Sequence, residues 1–372
     1  MTATDLDELV EHLANGGTNA DARALAKSGA ALVPHVMPYV TTGWRAEITP
    51  LTMLRMLRGV EVVEQLGAFA RTEESAIADA AIEALGHTKS KAALPILLDC
   101  LAVRGGREVI ARALGALGMS EAIGALEAEW QRCDLDQLFA KAGNGMGALW
   151  DLAALGGALL RLGSTGYEEP LSRIVRSEDT TGGVEAIEGL RWSGVRLAVD
   201  CIARAMSDPR SELADAAVDA FGAIGLPAVA ARLITLTHAR PDRLSAVRLS
   251  LRGLFGDGVP ERDLDAWWAS CTWPLDRHLW WGGQDPGHAI SKLPTSDGGL
   301  ARTRLELWTG VDMVDSADRG TQGDQSDMLR ASLWWQRVAW DWRTDVIYRN
   351  RRQLDIAPIL EAVTSEDHRI RK

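Results

Sequence analysis

Apolar residues recur at spacings of three and four in the segment that begins at Asp208. They are Leu213, Ala216, Ala217, Ala220, Phe221 and Ile224. This spacing lines one face of an α-helix, so the segment is predicted to be an amphipathic helix. Asp208 and Pro209 are typical of a helix start, as cap and first turn, and Gly225 is typical of a helix end. A second apolar helix is predicted from Leu226 to about Leu236.

The same pattern returns along the chain with a period near 31 residues. SAIADAAIEALG (75–86) and REVIARALGALG (107–118) each precede a second apolar stretch. Glycines between the two predicted helices mark the copies: Gly29, Gly59, Gly86, Gly118, Gly163, Gly194, Gly225 and Gly256. The intervals are 30, 27, 32, 45, 31, 31 and 31 residues. The interval of 45 is one period plus an insertion of about 14 residues around 131–144, and Gly86 aligns alternatively with Gly222, three residues away.

A single helix pair of this kind cannot bury its own apolar face. Stacking buries that face between neighbouring pairs, and alanines at the predicted crossing let the helices approach closely. The sequence therefore predicts an all-α fold, an α-solenoid, over residues 1–260. A Trp-rich C-terminal region, a helical cap or extension, is predicted over residues 261–372.

This repeat resembles the HEAT repeats, especially the short bacterial kind also found in phycobilisome lyase subunits. The resemblance lies in an Asp-Pro, Ala-Ala, Ala-Leu-Gly signature. The matching residues are Asp208-Pro209, Ala216-Ala217, Ala220-Phe221-Gly222, Ala80-Ala81 and Ala84-Leu85-Gly86. It covers roughly residues 20–256 and implies about eight helix pairs. It implies a fold and no particular function, because the repeat occurs in proteins of many activities.

Polar positions of the predicted second helices form the surface on which a solenoid would meet a partner. Arg196, Asp200 and Arg204 follow one another at four-residue spacing on one helical face. Arg173 and Arg232 occupy the neighbouring copies, and Arg173 and Arg204 each lie ten residues past their glycine. Two interpretations stay open. The face is either solvated, with local ion pairs, or a mixed-charge groove for an acidic peptide or protein.

Tryptophan is concentrated in the C-terminal region. The chain has 14 Trp against 3 Tyr and 4 Phe, and ten of the Trp lie between 267 and 342. The first cluster comprises Trp267, Trp268, Trp273, Trp280 and Trp281. Trp residues bury large areas in a core or cap, and exposed Trp residues anchor interfaces. Both roles are open for this cluster, and we include its five members among the candidate partner-binding residues.

The net charge and the cysteine content argue against some classes of protein. The formal net charge is −11, which disfavours a nucleic-acid binder. Four dispersed cysteines are typical of a reduced, cytoplasmic protein. The acidic N-terminus does not resemble a signal peptide, and no stretch is long enough for a membrane span. Arg-rich, Ala-rich and Gly-rich composition favours a bacterial source.

Catalytic motifs are sparse. Asp276, His278, Asp285 and His288 fall within 13 residues and could hold zinc or iron, although their spacing matches no known template. The Gly-rich stretch 143–147 lacks the lysine of a nucleotide loop. We expect no cofactor, no nucleic acid and no membrane partner.

The sequence thus favours a non-catalytic protein-binding scaffold or adaptor in a bacterial cytoplasm. An immunity or accessory role in a secretion or toxin system is a narrower form of that hypothesis. The alternative is an enzyme, either lyase-like or metal-dependent, that uses the Asp276–His288 loop.

Overall fold

The structure is a computed structural model, and it describes residues 3–17, 19–41, 44, 49–57, 59–104, 107–141, 148–255, 258–271, 346–349 and 352–364. These residues form two compact units. Unit 1 holds residues 3–132, and unit 2 holds residues 133–271 together with the described residues from 346 onward.

Unit 1 is built from helices and short 3₁₀ turns. Its helices are α1 (Ala3–Ala14), α2 (Asn19–Ala26), α3 (Val33–Val36), α4 (Pro50–Met56), α5 (Val60–Phe69), α6 (Ser75–His87), α7 (Ala93–Val103), α8 (Arg107–Leu117) and α9 (Ile123–Gln131). The first helices of successive pairs, α4, α6 and α8, pack one on the next, and α5 and α7 form a second layer.

Unit 2 repeats this arrangement. Its elements are α10 (Leu135–Lys141), α11 (Ala148–Leu162), α12 (Glu168–Arg176), α13 (Thr180–Leu190), α14 (Arg196–Ala205), α15 (Ser211–Gly222), α16 (Val229–Ala239), α17 (Leu244–Phe255), α18 (Leu264–Ser270), β1 (Val346–Arg349), β2 (Arg352–Asp355) and α19 (Ile356–Thr364). The first helices α11, α13, α15 and α17 pack in succession, and α12 packs on α14 in the second layer.

The predicted α-solenoid is confirmed. The described residues contain seven successive pairs, from α4 and α5 to α17 and α18. Before the first pair, Gly29 opens a 3₁₀ turn instead of separating two regular helices. The predicted insertion is also present, because its residues form the extra short helix α10.

Glycine has two different roles in the repeat. Gly225 lies in the turn between α15 and α16 with a φ of +83°, as a helix stop requires. Gly86, by contrast, lies inside α6. The left-handed turn position of that copy is Lys89, with a φ of +55°. Gly86 therefore corresponds to Gly222, which lies inside α15, and the alternative alignment of this copy is the correct one.

Helix-interior glycines mark close approaches between first helices. A Cβ atom on Gly86 would lie 2.6 Å from both the Cα and the carbonyl oxygen of Ala113 in α8. A Cβ on Gly189 of α13 would lie 2.7 Å from the Cα of Gly157 in α11. Because these obstacles are backbone atoms, they cannot rotate away, and the helices would have to separate.

The Asp-Pro segment does not act as the predicted helix cap. The N-cap of α15 is Arg210, with no side-chain cap hydrogen bond. The Asp208 carboxylate instead accepts from the backbone N–H of Arg210 at 2.9 Å and from its Nε at 2.8 Å. The Arg210 guanidinium donates to the carbonyl oxygens of Val175, at 3.0 Å, and Ser177, at 2.6 Å. Asp208 thus positions an arginine that joins the turn to the end of α12.

The antiparallel hairpin of β1 and β2 was not predicted. Val346 pairs with Asp355, and Arg349 pairs with Arg352. The last residue of β2 is followed directly by α19. Apart from this hairpin, the regular secondary structure of the described residues is helical. Most of the predicted Trp-rich C-terminal region lies outside the described residues.

Across the part of the chain that the structure describes, no helix combines the length and apolarity that a membrane crossing requires.

We expect Gly86→Ala to lower the free energy of unfolding by about 1–3 kcal/mol, because overpacking forces α6 and α8 apart. The midpoint of urea unfolding, followed by circular dichroism, measures this change. Gly124→Ala is the matched control. A Cβ atom on Gly124, which lies on α9, would meet no atom within 4 Å, so this alanine is expected to raise stability by up to about 1 kcal/mol. Equal effects of the two substitutions would contradict the close approach.

A second prediction concerns acid stability. The hydrogen bond from the Arg210 side chain lowers the pKa of the Asp208 carboxyl below its ordinary value. A carboxyl whose pKa is lower in the folded state stabilises the fold above its unfolded pKa of about 3.9, and this contribution is lost as the pH falls through the folded pKa. We therefore expect Asp208→Asn to destabilise the chain at neutral pH and progressively less below about pH 4.

Urea unfolding of the wild type and Asp208→Asn between neutral pH and about pH 3 gives this difference. Asp263→Asn is the control, because exposed Asp263 makes no side-chain cap hydrogen bond at α18. A difference that does not change with pH would show that the carboxylate of Asp208 does not hold Arg210.

Candidate protein-binding surface

The second helices of unit 2 combine a buried apolar side with an outward polar side. In α12, Leu171 and Ile174 are buried, and in α14, Val199 and Ile202 are buried. The polar residues between these positions are left on the outside of the layer. We call this side of α12, α14 and α16 the second-helix face. It carries Arg173, Arg196, Asp200, Arg204 and Arg232.

Arg173 turns towards the inserted helix α10. Its guanidinium lies 3.4 Å from the carboxylate of Asp136 and 4.2 Å from the ring centroid of Phe139. The ion pair is exposed and therefore stabilises little, while the cation–π contact contributes about 0.5–1 kcal/mol. These contacts join α12 to the insertion, and sequence spacing alone did not reveal them.

Arg204 and Arg176 lie on either side of the contact between α12 and α14. Burial raises the pKa of the Cys201 thiol, and the charges of Arg204 and Arg176 partly offset that effect. Arg176 pairs with Glu169 at 3.1 Å. The Arg204 Nε donates to the carbonyl oxygen of Asp200 at 3.2 Å and, among the described residues, Arg204 forms no ion pair. Its guanidinium is exposed.

Arg196 connects α14 with α19. Its guanidinium donates to the carboxylate of Glu361 at 2.6 Å and lies 3.5 Å from the carboxylate of Asp200, four residues along its own helix. The side chain of Arg196 is 44% exposed and that of Glu361 is 67% exposed. Because water screens this pair, it orients α19 more than it stabilises it.

Arg232 contacts the end of the same helix. Its guanidinium donates to the carbonyl oxygen of Val363 at 3.2 Å and lies 5.5 Å from the ring centroid of buried Phe221. Burial lowers the pKa of Arg232, and the charge of Asp200 raises it in part. The last carbonyls of a helix have no intrahelical partner and carry partial negative charge. Arg232 therefore supplies a donor that any helix end could use.

Two apolar side chains of α19 complete the contact. Ile359 and Val363 lie four positions apart, and each is 2% exposed. α19 packs against α14 and α16. Burial of the two side chains contributes about 3–6 kcal/mol before the cost of ordering the helix. An isolated helix of nine residues is unstable in water, so α19 depends for its folding on contacts with other parts of the chain.

Two of the five candidate tryptophans are described. Trp267 and Trp268 of α18 are half-buried, with ring centroids 5.3 Å and 5.8 Å from that of Phe255. His238 of α16 lies 2.8 Å from the carboxylate of Asp265 in α18. These contacts join α18 to α16 and α17. Trp273, Trp280 and Trp281 lie outside the described residues, so their role in binding stays a prediction.

The candidate metal residues Asp276, His278, Asp285 and His288 also lie outside the described residues. Within the residues that the structure does describe, no three or more His, Cys, Asp or Glu side chains come together as a metal site.

Sequence reasoning missed α19 as part of the surface. The segment IAPILEAVT places Ile359 and Val363 on one helical face with Glu361 between them, which is an amphipathic signal. Its docking position has no such signal, because Arg196 and Glu361 are 165 residues apart.

No protein-family model matches the chain, and no curated protein matches it. Solved structures are similar at low identity. Human deoxyhypusine hydroxylase in complex with glycerol is 17% identical, with a TM-score of 0.28, over 61% of this chain and 96% of that one. The complex of CpcE and CpcF of phycocyanin lyase from Nostoc sp. PCC7120 is 16% identical, with a TM-score of 0.38, over 65% of this chain and 94% of that one.

An engineered protein is 14% identical, with a TM-score of 0.33, over 98% of this chain and 95% of that one. These identities and TM-scores are too low to carry an argument about this chain's function. The resemblance to HEAT repeats therefore stays a prediction from the sequence repeat, and the packing of the helix pairs shows an α-solenoid.

We expect Val363→Asp to release α19 from its surface, because a carboxylate would replace a buried apolar side chain without a partner. Hydrogen–deuterium exchange of the peptides that cover 356–364 should become faster by about tenfold or more, since the lost burial is worth at least about 1.4 kcal/mol. Ala357→Asp is the matched control. It introduces the same charge at an exposed position in the first turn of α19, where exchange should stay slow. Unchanged exchange in Val363→Asp would contradict the docking.

Proposed function

We propose that this chain is a non-catalytic, protein-binding scaffold whose second-helix face recognises an acidic segment of another protein. The observation that carries the proposal is the docking of α19 on this face. Two buried apolar residues and contacts from Arg196 and Arg232 hold it there. A surface that holds one amphipathic helix in this way has the chemistry to hold another.

The charge of the face favours an acidic partner. Four arginines are exposed on α12 and α14: Arg173, Arg176, Arg196 and Arg204. The first three pair with carboxylates, and Arg204 adds a positive charge outside these pairs, although the chain as a whole carries a formal net charge of −11. Local positive charge on an acidic protein steers acidic partners to that site and repels them elsewhere.

The proposal includes the setting. All four cysteines are free thiols, which supports a reducing compartment such as a bacterial cytoplasm. In its narrower form the scaffold is an immunity or accessory protein, and the partner is then a toxin or a secretion component. The enzyme alternative depends on the Asp276–His288 loop, and no contact among the described residues favours it.

Affinity capture from the native bacterium, with the full chain as bait, tests the proposal. We expect Arg204→Glu to reduce recovery of a specific partner by about tenfold, because exposed arginines at protein interfaces are frequent hot spots. Arg262→Glu is the matched control, since it makes the same change at an exposed loop residue of unit 2. Equal recovery with both variants would exclude the second-helix face as the binding surface.

A further inference from the structure

We propose that α14 and α16 form a docking surface for the C-terminal end of an amphipathic helix from a partner protein, and that α19 regulates this surface by occupying it. The inference rests on the proposed function, and it adds the class of partner and a means of control.

Three contacts define the helix that this surface accepts. The first is a pair of apolar side chains four positions apart, as in Ile359 and Val363. The second is a carboxylate between them that reaches Arg196, as Glu361 does at 2.6 Å. The third is a backbone carbonyl near the helix end that accepts from Arg232, as that of Val363 does at 3.2 Å.

The third contact does not depend on the side chain of the bound helix. Arg232 donates to the main chain, so the end of any helix that presents the apolar pair and the acid satisfies it. The partner is therefore a protein with an apolar-x-acidic-x-apolar segment in the last two turns of an exposed helix. The acidic side chain and the end of the helix determine which helices are recognised, and the apolar pair supplies the buried area.

The arginines of the surface are suited to exchange of one helix for another. When α19 leaves, Arg196 still has Asp200 on its own helix at 3.5 Å. Arg232 still lies over the ring of Phe221. Neither guanidinium is left buried without a partner, so departure of α19 does not incur the penalty of an isolated buried charge.

A tethered helix competes strongly with a free one. Segments on one chain meet at effective concentrations on the order of millimolar. The apparent dissociation constant of an external helix rises in proportion to the fraction of chains in which α19 occupies the surface. A change that removes α19 from its site should therefore increase the affinity for an external helix without altering the surface itself.

The test uses a fluorescent peptide of residues 352–366 and the full chain, with fluorescence anisotropy as the readout. We expect the peptide to bind Val363→Asp about tenfold or more tightly than it binds the wild type. Glu361→Arg sets a like charge against Arg196 at an exposed pair, so we expect it to increase peptide binding by a smaller factor, about two- to fivefold. Ala357→Asp is the control and should bind like the wild type. Because Glu361 is exposed, Glu361→Arg keeps the test valid if Val363→Asp disturbs the fold.

Charge exchange tests the recognition itself. Arg196→Glu, added to Val363→Asp, should weaken binding of the peptide by about tenfold. A peptide that carries Glu361→Arg should restore it. Equal binding to the wild type and to the released variants would overturn the regulatory role of α19, and absence of binding to all variants would overturn the docking surface.

The outcomes that would overturn this inference differ from the outcome that would exclude the proposed function. The capture experiment depends on Arg204, which contacts Asp200 of its own helix, whereas the peptide experiment depends on Arg196 and Arg232. Loss of capture in Arg204→Glu together with no effect of α19 release would overturn this inference alone. Concentration-dependent dimers of the wild type that disappear in Val363→Asp would identify a second copy's helix as the occupant, and would also overturn it.

Discussion

The stack depends on how closely one first helix can approach the next. At Gly157 and Gly189 the backbones of α11 and α13 meet with no side chain between them, since a Cβ on either residue would lie within 3.0 Å of the other's Cα. Ser250 of α17 occupies the corresponding place against Gly222 of α15 and donates to the carbonyl oxygen of Val218 at 3.0 Å. Small residues lie where the first helices meet, and larger apolar residues fill the space between the layer of first helices and the layer of second helices. The core of each unit lies in that space.

Close packing of the first helices does not provide hydrogen-bond donors for the backbone carbonyls at the ends of the repeats. Arginines from the following copy supply the donors. Arg104 donates to the carbonyl oxygens of Ala70 and Thr72, at 3.2 Å and 3.1 Å, just as Arg210 serves the end of α12. Arg240 donates to the carbonyl of Asp208 at 3.2 Å. At these three junctions the repeat is joined to the one before it both by apolar burial and by an arginine that donates to a main-chain carbonyl of the earlier repeat.

The parts of the fold that repeat could be predicted, and the parts that occur once could not. Spacing of three and four predicted the helices, and the insertion before α11 followed from one long interval. The role of Asp208 was misjudged because an Asp-Pro pair looks the same whether the carboxylate binds the helix N-terminus or an arginine two residues later. The left-handed turn at Lys89 was not predicted, because a φ of +55° is unusual for a residue with a side chain.

The same distinction applies to the candidate surface. Periodicity placed Arg196, Asp200 and Arg204 on one face, as the structure has them. It could not indicate that Arg173 turns to Asp136 or that Arg196 reaches Glu361, because each contact joins a repeat to a segment outside the repeat. For such contacts the sequence identifies the two residue types but gives no information about the distance between them in the fold.

The interactions that join repeats also explain why a foreign helix would fit on the second-helix face. α19 is held by two apolar residues and by an arginine on a carbonyl of its last turn, and Arg210 makes the same kind of contact with Val175 at the end of α12. In effect, α19 is packed as one more helix of the array, although it lacks the covalent link and the second helix of a true repeat. A repeat protein leaves such a position open wherever its second helices are not covered. A partner helix bound as we propose would use its end and its apolar pair, which are the same contacts that hold the helices of the fold together.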